Sequence, residues 1–418
     1  MRFRGNQIGG NIRILFLSAF LPFPGADSAG VLDAFKILEA LSKKHEVTLL
    51  SFVSREDRAN VGALKELCSE VVTIPVPASP GSWKYLAYTG LSYISQFPAI
   101  ARMCHSRQMI CEVQRHIARG VDAVHVEFTQ MAHYTRYFGG TPCVLDESDL
   151  AYIRRERFAE TLKPGCKRAL LSVDNRKQKR YELTWASQFD AVLVRTECDR
   201  QTLQAELGYG KKIVTVPPWV DIAVRHNVSA VAEETSLLFY GAMWRPVNSQ
   251  AAHYFIDEIL PIVRASYPDA RFIVAGSRPP ASLTHLSSKA IEITGFIQDV
   301  SPFYSRCPIV VAPLLAGAGI KGKIIQGLSC GRPVVTTSVG AEGIPATEAD
   351  GLFVRNDPKS FASCICWLLD QNHYLEFREG AQSFVRKSYH WQSGMERVES
   401  VYQDITIRTM SAEVASQG

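Results

Sequence analysis

Short apolar runs alternate with amphipathic stretches along this chain. Ile12 to Ser18, His45 to Phe52, Val121 to Val126, Pro142 to Leu145, Asp190 to Arg195 and Ile213 to Val216 read as strands buried on both faces. After the first comes the loop L-P-F-P-G-A-D-S-A-G, ending at Gly30. A helix follows with Val31, Ala34, Phe35, Leu38 and Leu41 on one face. Strand, loop, helix, strand is the opening of a doubly wound α/β domain. Pro217-Pro218-Trp219 marks a break, and the polar stretch from Asp221 to Thr235 reads as a linker.

The second half restarts the pattern. Ser236 to Tyr240 is a strand, G-A-M-W-R-P-V-N its loop, and a helix from about Ser249 carries Ala252, Phe255, Ile259 and Val263 on one face. Phe272 to Ala275 and Ile291 to Thr294 are the next strands. The parallel between 13–50 and 236–275 is one of architecture, not a sequence repeat. Residues 357–405 read as helical, and Trp391 opens a helix expected to cross back to the first domain. The predicted organisation is therefore a first α/β domain over 1–217, a linker over 218–235, a second α/β domain over 236–390, and a C-terminal helix with a frayed tail over 391–418.

The stretch from Pro313 to Val335, P-L-L-A-G-A-G-I-K-G-K-I-I-Q-G-L-S-C-G-R-P-V-V, carries the densest chemistry. Ile309 to Val311 is a buried strand. Gly317 and Gly319 allow a tight turn. Lys321 to Cys330 places Ile324, Ile325 and Leu328 at helical spacing, Gly331 sits where a helix terminates, and Pro333 blocks continuation. A helix that begins at a glycine turn points free N–H groups at whatever lies above it, which makes an anion site. Lys321 and Lys323 add two positive charges, so the element is expected to hold the diphosphate of an activated sugar.

Composition narrows the picture less. At 418 residues about two domains are expected. The net charge of +5 permits anionic ligands without demanding them. Ten cysteines are scattered with neither a C-x-x-C nor a His/Cys cluster at zinc spacing, a pattern that suits reduced thiols and a cytoplasmic location. The apolar run from Ile14 to Phe23 is short and broken by Pro22 and Pro24, so it reads as strand and loop, not as a signal or spanning segment. Residues 152–182 hold ten Lys/Arg against four Asp/Glu. That surface either is simply solvated or settles on an anionic membrane face. No nucleic-acid module accompanies it. The aromatic segment 84–98 reads as core or as a lip for an acceptor. Just beyond the C-terminal ends of predicted strands fall Glu127, Asp146, Glu147, Ser148 and Asp149, where parallel sheets bind ligands and where acids also cap helices.

The motifs V-P-P-W-V-D, L-F-Y-G-A-M-W-R-P-V-N, F-I-V-A-G-S, T-G-F-I-Q-D-V and A-P-L-L-A-G-A-G-I-K-G-K-I-I-Q-G-L-S-C-G-R-P-V-V-T-T together resemble those of the family-4 glycosyltransferases, over about residues 213–370. These are retaining enzymes of the GT-B fold, and the nearest likeness is to members that build bacterial exopolysaccharides and cell-surface glycans. The resemblance implies two facing Rossmann-like domains with a cleft between them. It implies transfer from a nucleotide-diphosphate sugar to a glycan or lipid-linked acceptor, with retention and without a metal or other cofactor. Donor contacts would fall to Arg245, Gly295, Phe296, Gly319, Ile320, Lys321, Lys323 and Gln326, and the reacting centre to Ser148; placement beyond strand ends adds Asp149 and Glu127 to that centre, and the first loop adds Gly30 on the acceptor side. Three departures stand out. Gln326 and Ala318 occupy positions where the family has glutamates, and Ser148 occupies that of a histidine. They give a second reading, a catalytically impaired partner subunit or nucleotide-sugar-binding protein of the same fold.

Overall fold

The computed structural model describes residues 10–417, except 27, 78–86, 89, 93, 94, 96, 161, 163, 221–227, 229–234 and 318. Most of the linker at 218–235, much of the aromatic segment 84–98, and Ala318 thus lie outside the described residues. The chain divides into two compact units, one of Met1–Pro217 with Gln392–Gly418, the other of Pro218–Trp391.

In the first unit seven parallel strands are ordered β3-β2-β1-β4-β5-β6-β7. They are β1 (Arg13–Ser18), β2 (Glu46–Val53), β3 (Glu70–Pro75), β4 (Ala123–Glu127), β5 (Cys143–Glu147), β6 (Ala191–Val194) and β7 (Lys212–Thr215). The chain leaves β1 first toward β2 and later, on its other side, toward β4, so the order reverses at β1. Such a reversal opens a crevice at the strands' C-terminal ends. Apolar runs from β1, β4, β5 and β6 are buried throughout because helices cover both sheet faces. The terminal helix Trp391–Gln417 belongs to this unit. Tyr402 on it meets His125 of β4, and Glu399 meets His45 ahead of β2.

The second unit holds six parallel strands in the order β10-β9-β8-β11-β12-β13. They are β8 (Ser236–Tyr240), β9 (Arg271–Ala275), β10 (Ile291–Gly295), β11 (Ile309–Ala312), β12 (Val334–Thr336) and β13 (Leu352–Val354). Here the order reverses at β8. The helix expected near Ser249 starts at Pro246, which suits a first helical position because its missing N–H is not needed there. The helix of the glycine-rich stretch runs Gly322–Ser329. It ends at Gly331 in the left-handed region, φ 71°, with Gly331 N–H donating to the Leu328 carbonyl and Arg332 N–H to that of Gly327. That paired closure is how a glycine satisfies the last carbonyls of a helix.

One expectation needs correcting. Glu127, Asp146 and Glu147 are not loop residues beyond the strands but the last residues of β4 and β5, and all three are buried. The strands run further than their apolar letters because charges of both signs close on one another inside the unit.

Candidate functional site

Lys323 is the second residue of the helix Gly322–Ser329, at the end where backbone N–H groups lack intrahelical acceptors. Its ammonium turns toward β8. Nζ donates to Asn248 Oδ1 at 2.7 Å and lies 4.7 Å from the centre of the Phe239 ring. Among the described residues no carboxylate pairs with it. Burial first, and then the charges of Arg245 and Lys321, push this ammonium down to about 7. A cation that gives up hydration and has only a neutral partner is poised to take an anion. Two glycines make the space. A Cβ on Gly241 would come within 2.7 Å of Lys323 Nζ, and one on Gly276 within 1.7 Å of the Gly241 carbonyl oxygen.

The other expected donor contacts are distributed around the C-terminal ends of the same strands. Arg245 precedes the helix Pro246–Tyr254 and is exposed. Lys321 caps the helix Gly322–Ser329, and its Nζ donates to the carbonyl of Gly319. Gly319 has φ 72°, a conformation that favours glycine, and Ile320 packs on the core below. Gly295 closes β10 with φ 72°, followed by Phe296, which is 71% exposed. Gln326 lies one helical turn beyond Lys323 and is half-buried. Next to them Trp244 is exposed and carries the Arg278 guanidinium 4.8 Å from its ring centre.

In the first unit Gly30 and Ser148 come together. A Cβ at Gly30 would lie 3.5 Å from Ser148 Oγ and 3.3 Å from the Phe128 ring. Phe128 takes φ 69°, costly for an aromatic residue, and its ring meets that of the exposed Phe20 edge-on at 5.3 Å. Ser148 Oγ is enclosed and has no hydrogen-bond partner among the described residues. Asp149 is held by Arg154, whose Nη1 is 2.6 and 2.8 Å from its two oxygens. Glu127, expected at the reacting centre, has no exposed surface. Its placement allows it to position neighbours, not to touch a substrate.

That placement belongs to a charged cluster which sequence reasoning did not assemble. Arg195, just past β6, pairs with Asp33 and lies 2.8 Å from Asp146 Oδ1. The latter contact is one of charges, without good hydrogen-bond direction. His125 Nε2 is 3.4 Å from Glu127 and 3.7 Å from Asp146, and its Nδ1 is 2.7 Å from Tyr402 Oη. Burial lowers His125 to about 4 and raises Glu127 to about 8 and Asp146 to about 7, the nearby Arg195 charge opposing both carboxyl shifts. These three residues offer ligand atoms within 4.8 Å of one another. Arg195 and proton uptake already balance their charge. One signal was available in the sequence: Asp33 falls on the apolar face of the helix Ala29–Ser42, where a carboxylate needs a buried cation.

Part of the basic segment's charge is already paired. It forms the helices Ala151–Glu160 and Cys166–Ala186. Arg154, Arg155 and Lys179 pair with Asp149, Asp174 and Glu206, and Lys177 donates to the carbonyls of Ser92 and Ser95. Arg176 and Arg180 are exposed, as are Phe158 (41%), Leu170 (49%) and Val173 (43%). No described helix is long and apolar enough to cross a membrane.

Residues 234–371 match the family described as Glycosyl transferases group 1. A curated relative, an uncharacterised 44.6 kDa protein in the cps region of Klebsiella pneumoniae, is 27% identical over 165 residues, 37% of this chain and 42% of that protein. The match thus spans less than half of that relative's length. Among solved structures, HepE from Anabaena in complex with UDP is similar at 14% identity and TM-score 0.65, over 93% of this chain and 100% of that one. Sucrose-phosphate synthase from Thermosynechococcus elongatus is similar at 13% identity and TM-score 0.65, over 95% and 100%. TarM from S. aureus, in complex with UDP among other ligands, gives 11% and 0.65, over 93% and 99%. Two parallel-sheet α/β units and these likenesses define a two-domain, Rossmann-like GT-B fold.

Proposed function

We propose that this chain, which has the GT-B fold and carries a group 1 glycosyl transferase domain at residues 234–371, moves a sugar from a nucleotide-diphosphate sugar to a glycan or lipid-linked acceptor. The observation that carries this reading is Lys323, a desolvated ammonium that pairs with no carboxylate among the described residues, set at a helix start beside Arg245 and Lys321. When the bond to the sugar breaks, negative charge gathers on the departing diphosphate. Fixed cations and backbone N–H groups stabilise that charge without reorganising, so no metal is required in this reading. Gly319 and Ile320 supply backbone to the diphosphate, Gln326 a side chain to the ribose, and Gly295 with Phe296 a shelf for the base. Complexes of HepE with UDP and UDP-glucose support the class of donor.

The acceptor is assigned to the first unit, at Gly30, Ser148 and Asp149. Serine is no base at neutral pH, so the departing phosphate takes the acceptor's proton, and the sugar keeps its anomeric configuration. The likeness to a protein of a cps region supports a role in surface polysaccharide synthesis, which this reading places on the cytoplasmic side. A lipid-linked acceptor would bring the protein to a membrane, and exposed Phe158, Leu170 and Val173 beside Arg176 and Arg180 suit an anionic one.

Calorimetric titration of the full chain with UDP, other nucleoside diphosphates and their sugar conjugates tests the donor site. Lys323→Ala is expected to weaken the best ligand about 10–100-fold, the loss of one charge-assisted contact. Unchanged affinity overturns the assignment. Gln326 and Ser148 favour a second reading, binding without turnover. A protein that binds donors yet never releases nucleotide from them, with or without glycan acceptors, fits that reading instead.

A further inference from the structure

We propose that Asn248 is a positioning residue of the diphosphate site, whose neutral amide fixes the Lys323 ammonium without cancelling its charge. The inference rests on the donor-site reading above and deepens it. Asn248 is the third residue of the helix Pro246–Tyr254 and is only 6% exposed. Its Nδ2 donates to the Ala242 carbonyl at 2.9 Å, which fixes the amide's orientation. Oδ1 is thereby left facing Lys323 Nζ, at 2.7 Å. On the other side the ammonium rests against the Phe239 ring, and Gly241 leaves the room, since a Cβ there would approach Nζ to 2.7 Å and Nδ2 to 3.2 Å. Three segments thus converge on one nitrogen. An ammonium has three donors, and the amide uses one of them.

The side-chain type is what matters. A carboxylate of the same shape would make a partly buried ion pair, leaving little net charge for an incoming anion. A leucine would leave the ammonium unanchored. Of the other charged groups, Arg245 and Lys321 act on Lys323, and both repel it. Neither can replace the amide as an acceptor, so the hold on Lys323 comes from Asn248.

Asn248→Asp and Asn248→Leu in the full chain separate these roles. In the ligand-free protein, acetylation of Lys323 by acetic anhydride is followed by mass spectrometry against pH. Asn248→Asp is expected to raise the labelling midpoint by about one unit or more, because an opposite charge within a few ångströms favours the ammonium. UDP-glucose is the binding probe, since each of its phosphates is esterified at one oxygen and bridged at another, keeps only a strongly acidic hydroxyl, and does not titrate near neutrality. At pH 7, Asn248→Asp is expected to weaken its binding about tenfold or more. Asn248→Leu is expected to weaken it too, without raising the midpoint. Equal losses in both variants with an unmoved midpoint would show a merely structural residue and overturn the proposal, as would an Asn248→Asp protein indistinguishable from the parent. Should Asn248→Asp fail to fold, Asn248→Ser, which keeps a neutral oxygen, must stay closer to the parent than Asn248→Leu in both measurements. If the parent itself binds no nucleotide sugar, the donor-site reading fails, while the labelling midpoint still decides whether Asn248 governs Lys323.

Discussion

At Lys323 the proposed diphosphate site opposes what folding favours. Folding removes water from an ammonium and gives it an amide and a ring instead of a carboxylate. The folded value near 7 lies below the ordinary value of 10.5, so between these pH values the unfolded chain binds more protons than the folded one. Stability therefore rises with pH across that window, and the full cost of the buried charge stands below pH 7. Lys323→Met, which keeps the length and drops the charge, is expected to stabilise the second unit by about 1–3 kcal/mol at pH 6, a figure discounted for partial solvent access. Toward pH 10.5 the gain should vanish. Urea unfolding at pH 6 and 10 measures the difference, and a gain independent of pH would mean that better packing, not relief of charge, is the cause. That two lysines stand at a helix start was readable from the glycine turn alone. Asn248 was not, because a lone Asn in a loop-to-helix junction reads as a cap until coordinates show its partner.

Among elements, strands announced themselves where the sheet buries both faces. β1, β2, β8 and β11 were legible to within a residue or two because a central parallel strand must be apolar throughout. β3 escaped notice because it is an edge strand, mostly half-buried and ending at Pro75, and β13 because it is three residues long. In the helices Ala151–Glu160 and Cys166–Ala186 the charge that reads as surface does lie there, but part of it is paired with neighbouring acids. Only the outward remainder can meet a bilayer. Leu170 and Val173 are one helical turn apart, and Arg176 follows Val173 by another, so apolar and cationic groups share a face. In sedimentation with vesicles of phosphatidylglycerol and phosphatidylcholine, the parent chain should pellet with the anionic vesicles and be released by salt. Arg176→Glu with Arg180→Glu should abolish pelleting, and Leu170→Ser with Val173→Ser should reduce it several-fold. Binding that ignores lipid charge, or survives the arginine changes, would remove this surface from the picture.

Across the whole molecule the two units bury titratable groups whose stability responds to pH in opposite directions. The first buries acids. Glu127 and Glu182 are raised to about 8 and Asp146 to about 7, all mainly by burial, and Glu147 is pushed up well beyond its ordinary value by burial and by Glu182. A carboxyl whose folded value is raised stabilises fully below its unfolded value, and that contribution is lost as pH rises through the folded one. His125 and His133, lowered by burial to about 4 and about 3, work the other way but only below their ordinary 6.5. Between pH 6.5 and 8 the acids alone remain, so the first unit should lose stability. The second unit, governed in part by Lys323, should hold or gain over pH 7 to 8.5. Amide exchange, corrected for its intrinsic pH dependence, resolves the two within one intact chain. Protection in β4 and β5 is expected to fall between pH 6.5 and 8, while that in β8 and the helix Gly322–Ser329 does not. Glu182→Gln keeps one of the two hydrogen bonds that this carboxyl accepts, from Gln178 and from the Tyr152 N–H, removes its titration, and should flatten the first unit's decline. Protection that moves together in both units would mean that pH acts on the molecule through something other than these buried groups.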